Sequence, residues 1–430
     1  MRGDGKAVDA LRVGLVGLGV VAQVVYLPLL ARRRDMFRVA AVCDLDLGHA
    51  EEVGGEIGAR AYGDPVEMLD GDGFDAVLVL TPGCHGGLVR AALERGHWVL
   101  CEKPLAYSHA EVRGLTEHGA RLMVGYMKQY DPAVQRLLEC LHEAGGPECV
   151  RHLDVTVLHP SGESQRLFAR PRASGHAPER LAPYLEAEER SITAALGTAP
   201  DRVRRLYSQV LLGSISHELS LIRLFTEPPP GPSTGPPAGS SARSSPGSSS
   251  GPDTEAVPTV DHVAVWPLDA FPPSVEVAGV LPGPPAGSSA GSCSGRFGVR
   301  WHYLPSYPAY HETVTLHHEH GSLELHFPSP YLLNAPTRLT VRSRVGTTER
   351  TMVFRDVAEA FERQLVAFHR FVTQGEPPLT GLDGALRDIA TAQLIARRYA
   401  ESVGIPLGGE CAEISPAGIF PGGERTAERR

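Results

Sequence analysis

The chain has 430 residues, 42% of them hydrophobic, and a net charge of -9. That is enough apolar material for two ordinary domains, each with a core. The acidic balance and the absence of a long basic stretch exclude a nucleic-acid surface, which needs clustered Lys and Arg to replace counterions.

Seven cysteines, odd in number and without a CxxC pair, read as reduced thiols, which points to a cytoplasmic protein. The apolar run from Val13 to Leu30 follows basic residues as a signal peptide would, but Gly14, Gly17, Gly19, Gln23 and Pro28 interrupt it. It reads instead as a buried strand, a tight turn and a helix.

Four further apolar runs follow, from Phe37 to Asp44, Phe74 to Pro82, His97 to Pro104 and Arg121 to Met127, with helical stretches between them. Continuous apolar strands alternating with helices predict a parallel sheet covered on both faces. Ser108 and Glu111 form a capping box for the short helix after the fourth strand.

From Glu148 the pattern changes. A strand is expected from Cys149 to Leu158, then a polar region, then a helix from Arg202 to Phe225 with Leu211, Ile215, Leu219 and Ile222 at helical spacing. Another strand is expected from Ser274 to Val280, followed by antiparallel hairpins turning at Gly321 and near Gly346, and by two closing helices, Val357 to Thr373 and Gly384 to Val403. Stretches near 228–254 and 282–295 are rich in Pro, Gly and Ser and read as loops with too little apolar surface to pack. No segment reads as a transmembrane helix.

The expected organisation is therefore a nucleotide-binding Rossmann domain over 1–128 (α/β, doubly wound parallel sheet). An α+β substrate and oligomerisation domain over 129–410 carries a large, mostly antiparallel open sheet, and a disordered tail occupies 411–430.

Gly17, Gly19 and Ala22 form GxGxxA directly after the first strand, with Val20 and Val21 opening the helix, and Asp44 closes the second strand. The glycines permit a tight turn and close approach of a pyrophosphate to the helix N-terminus, and the acid can accept from the adenosine ribose hydroxyls. A carboxylate there repels a 2'-phosphate, so NAD is expected over NADP. Of the 41 basic residues only Lys6, Lys103 and Lys128 are lysines. Where arginine has replaced lysine almost everywhere, a remaining lysine marks a task guanidinium cannot perform, such as proton exchange near neutral pH.

The stretch Thr81 to Ala106, TPGCHGGLVRAALERGHWVLCEKPLA, resembles the signature of the glucose-fructose oxidoreductase/inositol dehydrogenase/MocA family. Val124 to Val134 resembles that family's crossing into its second domain, and Ala360 to Pro378 its C-terminal helix. The resemblance implies hydride transfer to or from a secondary alcohol or ketone of a sugar, sugar nucleotide or cyclitol. It implies a catalytic Lys103 in Glu-Lys-Pro, and cofactor contacts from Thr81, Pro82, His85, Glu102 and Lys103. It also implies His217 as the general base or acid. The family's Asp four residues before that His is absent, and Gly213 stands there. Ser214, three residues before His217, lies on the same helical face, whereas Glu218 is rotated away.

Tyr126 and Lys128 are expected at the substrate pocket. His311, His317, His318, His320 and His326 are expected on different faces of a hairpin, so no metal is expected. Family members suggest homodimers or tetramers joined through the C-terminal sheet, which requires an apolar outer face. Other members of such a family retain NAD for transient oxidation in epimerase, lyase or glycosidase reactions, and a non-catalytic NAD-binding protein is a further possibility.

Overall fold

The computed structural model describes residues 10–175, 178–226, 257–282 and 295–414. Apart from Pro282 and Gly295, the two low-complexity stretches lie outside the described residues, as do residues 415–430.

The N-terminal sheet has six strands: β1 (Leu11–Val16), β2 (Phe37–Cys43), β3 (Arg60–Tyr62), β4 (Ala76–Val79), β5 (Trp98–Glu102) and β6 (Leu122–Gly125). All pair in parallel, in the order β3-β2-β1-β4-β5-β6. This is the doubly wound Rossmann arrangement, whose order reverses beside β1 and leaves a ligand crevice at the carboxyl ends of the strands. Alternation sends Val16, Val77, Val79 and Cys101 into one layer and Val13, Leu15, Leu78 and Leu100 into the other. Because both faces are covered, the strands are mostly apolar, with Arg12, Arg38 and Arg60 exposed near strand starts.

The second sheet contains β7 (Val150–His159), β8 (Thr259–Trp266), β9 (Ser274–Val280), β10 (Arg296–Tyr303), β11 (His311–His318), β12 (Gly321–Phe327), β13 (Arg338–Val345) and β14 (Thr348–Arg355). Their order is β14-β13-β12-β11-β7-β10-β9-β8, antiparallel except for the β7–β10 pair. Val155, Val157, Val299, Val314 and Leu316 point inward to the core.

The outer face is polar rather than apolar. Arg300 bonds Asp154 at 2.7 Å, His152 bonds Asp154 at 2.9 Å and Arg342 bonds Glu324 at 3.2 Å. His311, His317 and His326 share this face, while His318 follows His317 in β11 and alternates away from it, so the expected division between faces holds only in part. His326 meets His311 edge-on (5.2 Å), while His317 sits beside His152 (6.2 Å), separated from His311 along the strand by roughly 20 Å at the strand's rise per residue.

Two parts of the chain differ from expectation. Helix Ala360–Gln374 returns to the first sheet, where Phe361, Leu365, Phe368 and Phe371 pack in the layer of Leu15 and Leu100. Their i, i+4, i+7 spacing makes the apolar stripe that the Rossmann layer covers. The chain also stays packed through Ile414: the helix Gly409–Glu413 buries Cys411, so the expected tail at 411 begins too early.

Helix Pro178–Leu196, which falls in the expected polar region, buries little beyond Ser191, Ile192, Ala195 and Leu196, so its apolar period is too weak to read. Among the described residues, no helix is long and apolar enough to cross a membrane.

Candidate active site

The crevice at the carboxyl ends of β1 and β4 is built by the glycine turn. Gly17 has φ of +91° and its absent Cβ leaves room for Thr81, whose backbone N would lie 2.8 Å from one. Only glycine satisfies both demands. Among the described residues nothing lies within 4 Å of where a Cβ on Gly19 would point, so the backbone faces open space at the helix start that carries Val20, Val21 and Ala22. Asp44 accepts from the Leu18 N–H at 3.0 Å, which ties the second strand's acid to the turn.

Thr81 Oγ1 is buried in this crevice without a partner among the described residues. A buried hydroxyl with nothing to bond is costly unless a ligand completes it. With the open helix start, this fits a dinucleotide. Thr81, Val20, Val21, Ala22 and Asp44 would hold it, whereas Pro82 is exposed at the rim of the same loop.

His85 and Glu102 are committed elsewhere. The ring nitrogens of His85 lie 2.6 Å from the carbonyls of Thr81 and Pro104, so the imidazole clamps the loop onto the turn after β5. Its burial lowers its pKa, against the pull of those carbonyls. Glu102 accepts from the Tyr26 hydroxyl at 2.7 Å and from the Lys103 N–H at 3.3 Å, and Gln364 donates to the same hydroxyl at 2.9 Å. Burial raises its pKa. The expected ribose contact of Glu102 therefore competes with Tyr26.

Lys103 leaves the end of β5 and donates to the Gly213 carbonyl at 2.5 Å. Its pKa is lowered by burial, which penalises the ammonium more than Glu102 and Glu218 support it. Gly213 lies in Leu206–Ile215, a segment wound more widely than an α-helix and continuous with the helix Ser216–Thr226 that carries His217. Widened turns of this kind recur where a helix must present backbone or side chains to a ligand.

His217 is pushed well below the usual imidazole pKa by burial and by the charges of Lys103 and Lys128. Its ring meets Tyr126 edge-on at 6.4 Å, and its buried Nδ1 has no partner among the described residues. A neutral imidazole with an unpaired nitrogen beside a lysine of lowered pKa can accept one proton while the lysine holds another. Ser214 accepts from Trp301 Nε1 at 3.0 Å, which anchors the widened turn to β10.

Lys128 does not line an open pocket, a correction to the expectation. Its ammonium donates to Glu218 at 2.8 Å and Glu312 at 2.6 Å, and all three side chains are buried. Tyr310 completes the group with a 2.6 Å bond to Glu312. Burial alone would lower the lysine pKa, but the two carboxylates outweigh it and raise it. Burial, together with the charge of Asp388, raises the pKa of the Tyr126 hydroxyl, and Arg223 donates to Asp388 at 2.9 Å.

Sequence reading missed Glu312, although the signal was present: it occupies the inward register of β11 with Val314 and Leu316, where an unpaired acid would be costly. It also missed His159 and Tyr303, which end β7 and β10, and Tyr310, just before β11, neighbouring rings with the tyrosine centroids 6.2 and 5.8 Å from His159.

A Rossmann sheet with a lysine at the end of its fifth strand and a facing open sheet defines a two-domain, dinucleotide-dependent class of protein. Residues 11–127 match the GFO_IDH_MocA model, described as "Oxidoreductase family, NAD-binding Rossmann fold".

The chain is 35% identical over 161 residues to inositol 2-dehydrogenase 1 of Saccharopolyspora erythraea, covering 35% of this chain and 48% of that protein. It is 34% identical over 133 residues to D-xylose 1-dehydrogenase (NADP(+)) 2 of Haloferax volcanii, covering 30% of this chain and 39% of that protein. These matches span less than half the length of either relative. Across both sheets the fold is similar to UDP-N-acetylglucosamine 3-dehydrogenase from Acidithiobacillus ferrooxidans. That match has a TM-score of 0.58 and 18% identity, and covers 90% of this chain and 97% of that one.

Proposed function

We propose that the protein is an NAD-dependent oxidoreductase that moves a hydride to or from a secondary alcohol or ketone of a sugar, sugar nucleotide or cyclitol. The observation that carries this reading is the half-buried Lys103 ammonium just after β5, which donates to the Gly213 carbonyl on the segment that runs into the helix of His217. The family model matched by residues 11–127 and the substrates named for the relatives support the same reading.

When bound, NAD supplies the hydride acceptor or donor. The chain supplies position and proton control. Gly17, Gly19, Val20, Val21, Ala22, Asp44 and Thr81 form the cofactor wall, with His85 holding its loop closed. Lys103 donates a hydrogen bond to the reacting oxygen, and neutral His217 takes the hydroxyl proton during oxidation or returns it during reduction. The carbonyl of Gly213, where the family's carboxylate is absent, aims the ammonium. Asp44 favours NAD because a 2'-phosphate beside a carboxylate meets like charge.

We take residues 1–128 as the cofactor domain and 129–414, less the closing helix that packs on the first sheet, as the substrate domain. The reading also takes the protein to work in the cytoplasm. A panel of inositols, aldoses and nucleotide sugars, followed by NADH absorbance, tests it. Bound NAD with no hydride transfer to any of them, and no covalent change in them, would count against it.

A further inference from the structure

Beyond β7 and the short helix Gly162–Arg166, the chain runs back over the Rossmann crevice before it enters the helix Pro178–Leu196. Ser174 Oγ donates to Asp44 Oδ1 at 2.7 Å, and the Gly175 N–H donates to Asp46 Oδ2 at 2.8 Å. Gln23, on the first turn after the glycine motif, exchanges two bonds with the Arg172 backbone, at 2.8 and 3.0 Å. The Arg172 guanidinium pairs with Glu52 at 3.2 Å and Glu56 at 2.7 Å, on the helix that follows β2. This strap therefore touches the glycine-motif helix, the β2 acid and the helix after β2, the three elements that an adenosine half would touch.

The acceptor count on Asp44 is the decisive point. A carboxylate offers about four lone-pair positions. Three are already taken, by the N–H groups of Leu18 and Asp46 and by the Ser174 hydroxyl. A ribose diol brings two donors, so one would be left without an acceptor while Ser174 stays. Resting on the reading of the cofactor site given above, we propose that the strap is an internal competitor. Residues 172–175 occupy the adenosine-ribose site, and dinucleotide binding and strap docking exclude one another.

The strap is built to come off. Its hold is polar and exposed, of the kind worth little per contact in water. Its large apolar side chains, Leu167 and Phe168, are 65% and 58% exposed rather than packed. What anchors it at its far end is separate: Glu188 accepts from the Cys84 N–H at 2.8 Å, and Arg180 bonds the carbonyls of Leu45 and Gly63. Those contacts leave Asp44 untouched, so the strap can lift while the helix behind it stays seated.

The test is a fluorescence titration of the full-length protein with NAD, for wild type, Ser174→Ala and Arg172→Gln. Each substitution weakens the docked strap without altering the Rossmann wall, so each should lower the apparent Kd by about 3- to 10-fold, since affinity scales with the fraction of competent molecules. In parallel, trypsin should cut wild type after Arg172 faster in saturating NAD than without it. Unchanged affinity in both variants overturns the proposal. Weaker binding in Ser174→Ala together with protection of Arg172 by NAD also overturns it, because the strap would then be a clasp on the cofactor. If neither wild type nor variants bind NAD at all, the cofactor reading itself falls, and the strap proposal with it.

Discussion

The ammonium of Lys103 donates to the backbone carbonyl of Gly213 at 2.5 Å, one helical turn before His217. A side chain cannot be deleted from a glycine carbonyl, so the orientation of Lys103 rests on the widened turn rather than on an acid. Lys103→Met keeps most of the stem but removes the donor. Turnover should fall by roughly 10²-fold or more, as on losing a positioned acid or base, while NAD affinity stays close to wild type. Lys103→Arg should fail similarly, because guanidinium keeps its proton and needs more room than the site next to Gly213 gives. Single-turnover hydride transfer with parallel NAD titration measures both. Near-normal transfer in either variant would remove Lys103 from the chemistry.

The first sheet was readable because its strands are largely buried on both faces and therefore mostly apolar, with Arg12 and Arg38 as exposed exceptions near their starts, and because the GxGxxA turn and Asp44 mark its crevice. The second sheet was readable mainly where tight turns at Gly321 and Gly346 join neighbours, as β11–β12 and β13–β14. Pairs such as β7 with β10, separated by more than a hundred residues, leave no local trace.

The same limit applies to the site. Lys103 stood out through lysine scarcity, but its partner is a backbone carbonyl, which carries no sequence signal. Lys128 stood out for the same reason and was misassigned, since only the fold brings Glu218 and Glu312 to it. The strap over Asp44 was illegible because its contacts come from polar side chains and backbone groups in a stretch with no period.

Asp44 should set cofactor preference. Wild type should bind NAD more tightly than NADP, and Asp44→Ala should narrow or abolish the difference, because the carboxylate no longer repels a 2'-phosphate. The ratio of the two dissociation constants is the proper readout: strap competition enters both affinities equally and cancels. A wild-type preference for NADP would mean that Asp44 does not face the ribose.

His217 makes the protein acid-sensitive in a predictable direction. Burial and the nearby charges of Lys103 and Lys128 hold its folded pKa well below the 6.5 of a free imidazole. Between that lowered value and 6.5 the unfolded chain binds the proton more readily, so the stability contribution is complete above about 6.5 and is lost as pH falls. His217→Gln should flatten this part of the stability profile, as read by denaturant midpoints across pH. In alcohol oxidation the base form persists below the normal imidazole range, so the acid limb of kcat/KM should lie lower than 6.5 and should disappear in the variant. A wild-type limb at or above 6.5 would assign the base to another group.

The Lys128–Glu218–Glu312 triad sets the last prediction, which concerns stability rather than turnover. One ammonium serves two carboxylates whose side chains are 3% and 0% exposed, while the lysine is 6% exposed. Taking such charges out of water costs several kcal/mol per ion, which is offset only while the pairing is intact. Lys128→Met strands both acids, and should cost about 3–5 kcal/mol, as measured when one member of a buried pair is removed. Because Glu218 and Glu312 then repel each other as well, most of this loss should return in Lys128→Met with Glu218→Gln and Glu312→Gln, where no charge remains. Unfolding of a chain with two sheets need not be two-state, so the comparison belongs in thermal melts followed by both near-UV and far-UV dichroism. A single Lys128→Met variant that melts like wild type would show that Glu218, whose pKa burial pushes up to about 7, already carries a proton in the fold. In that event the triad contributes mainly hydrogen bonds, and the Lys128 charge that acts on His217 is less neutralised by its partners.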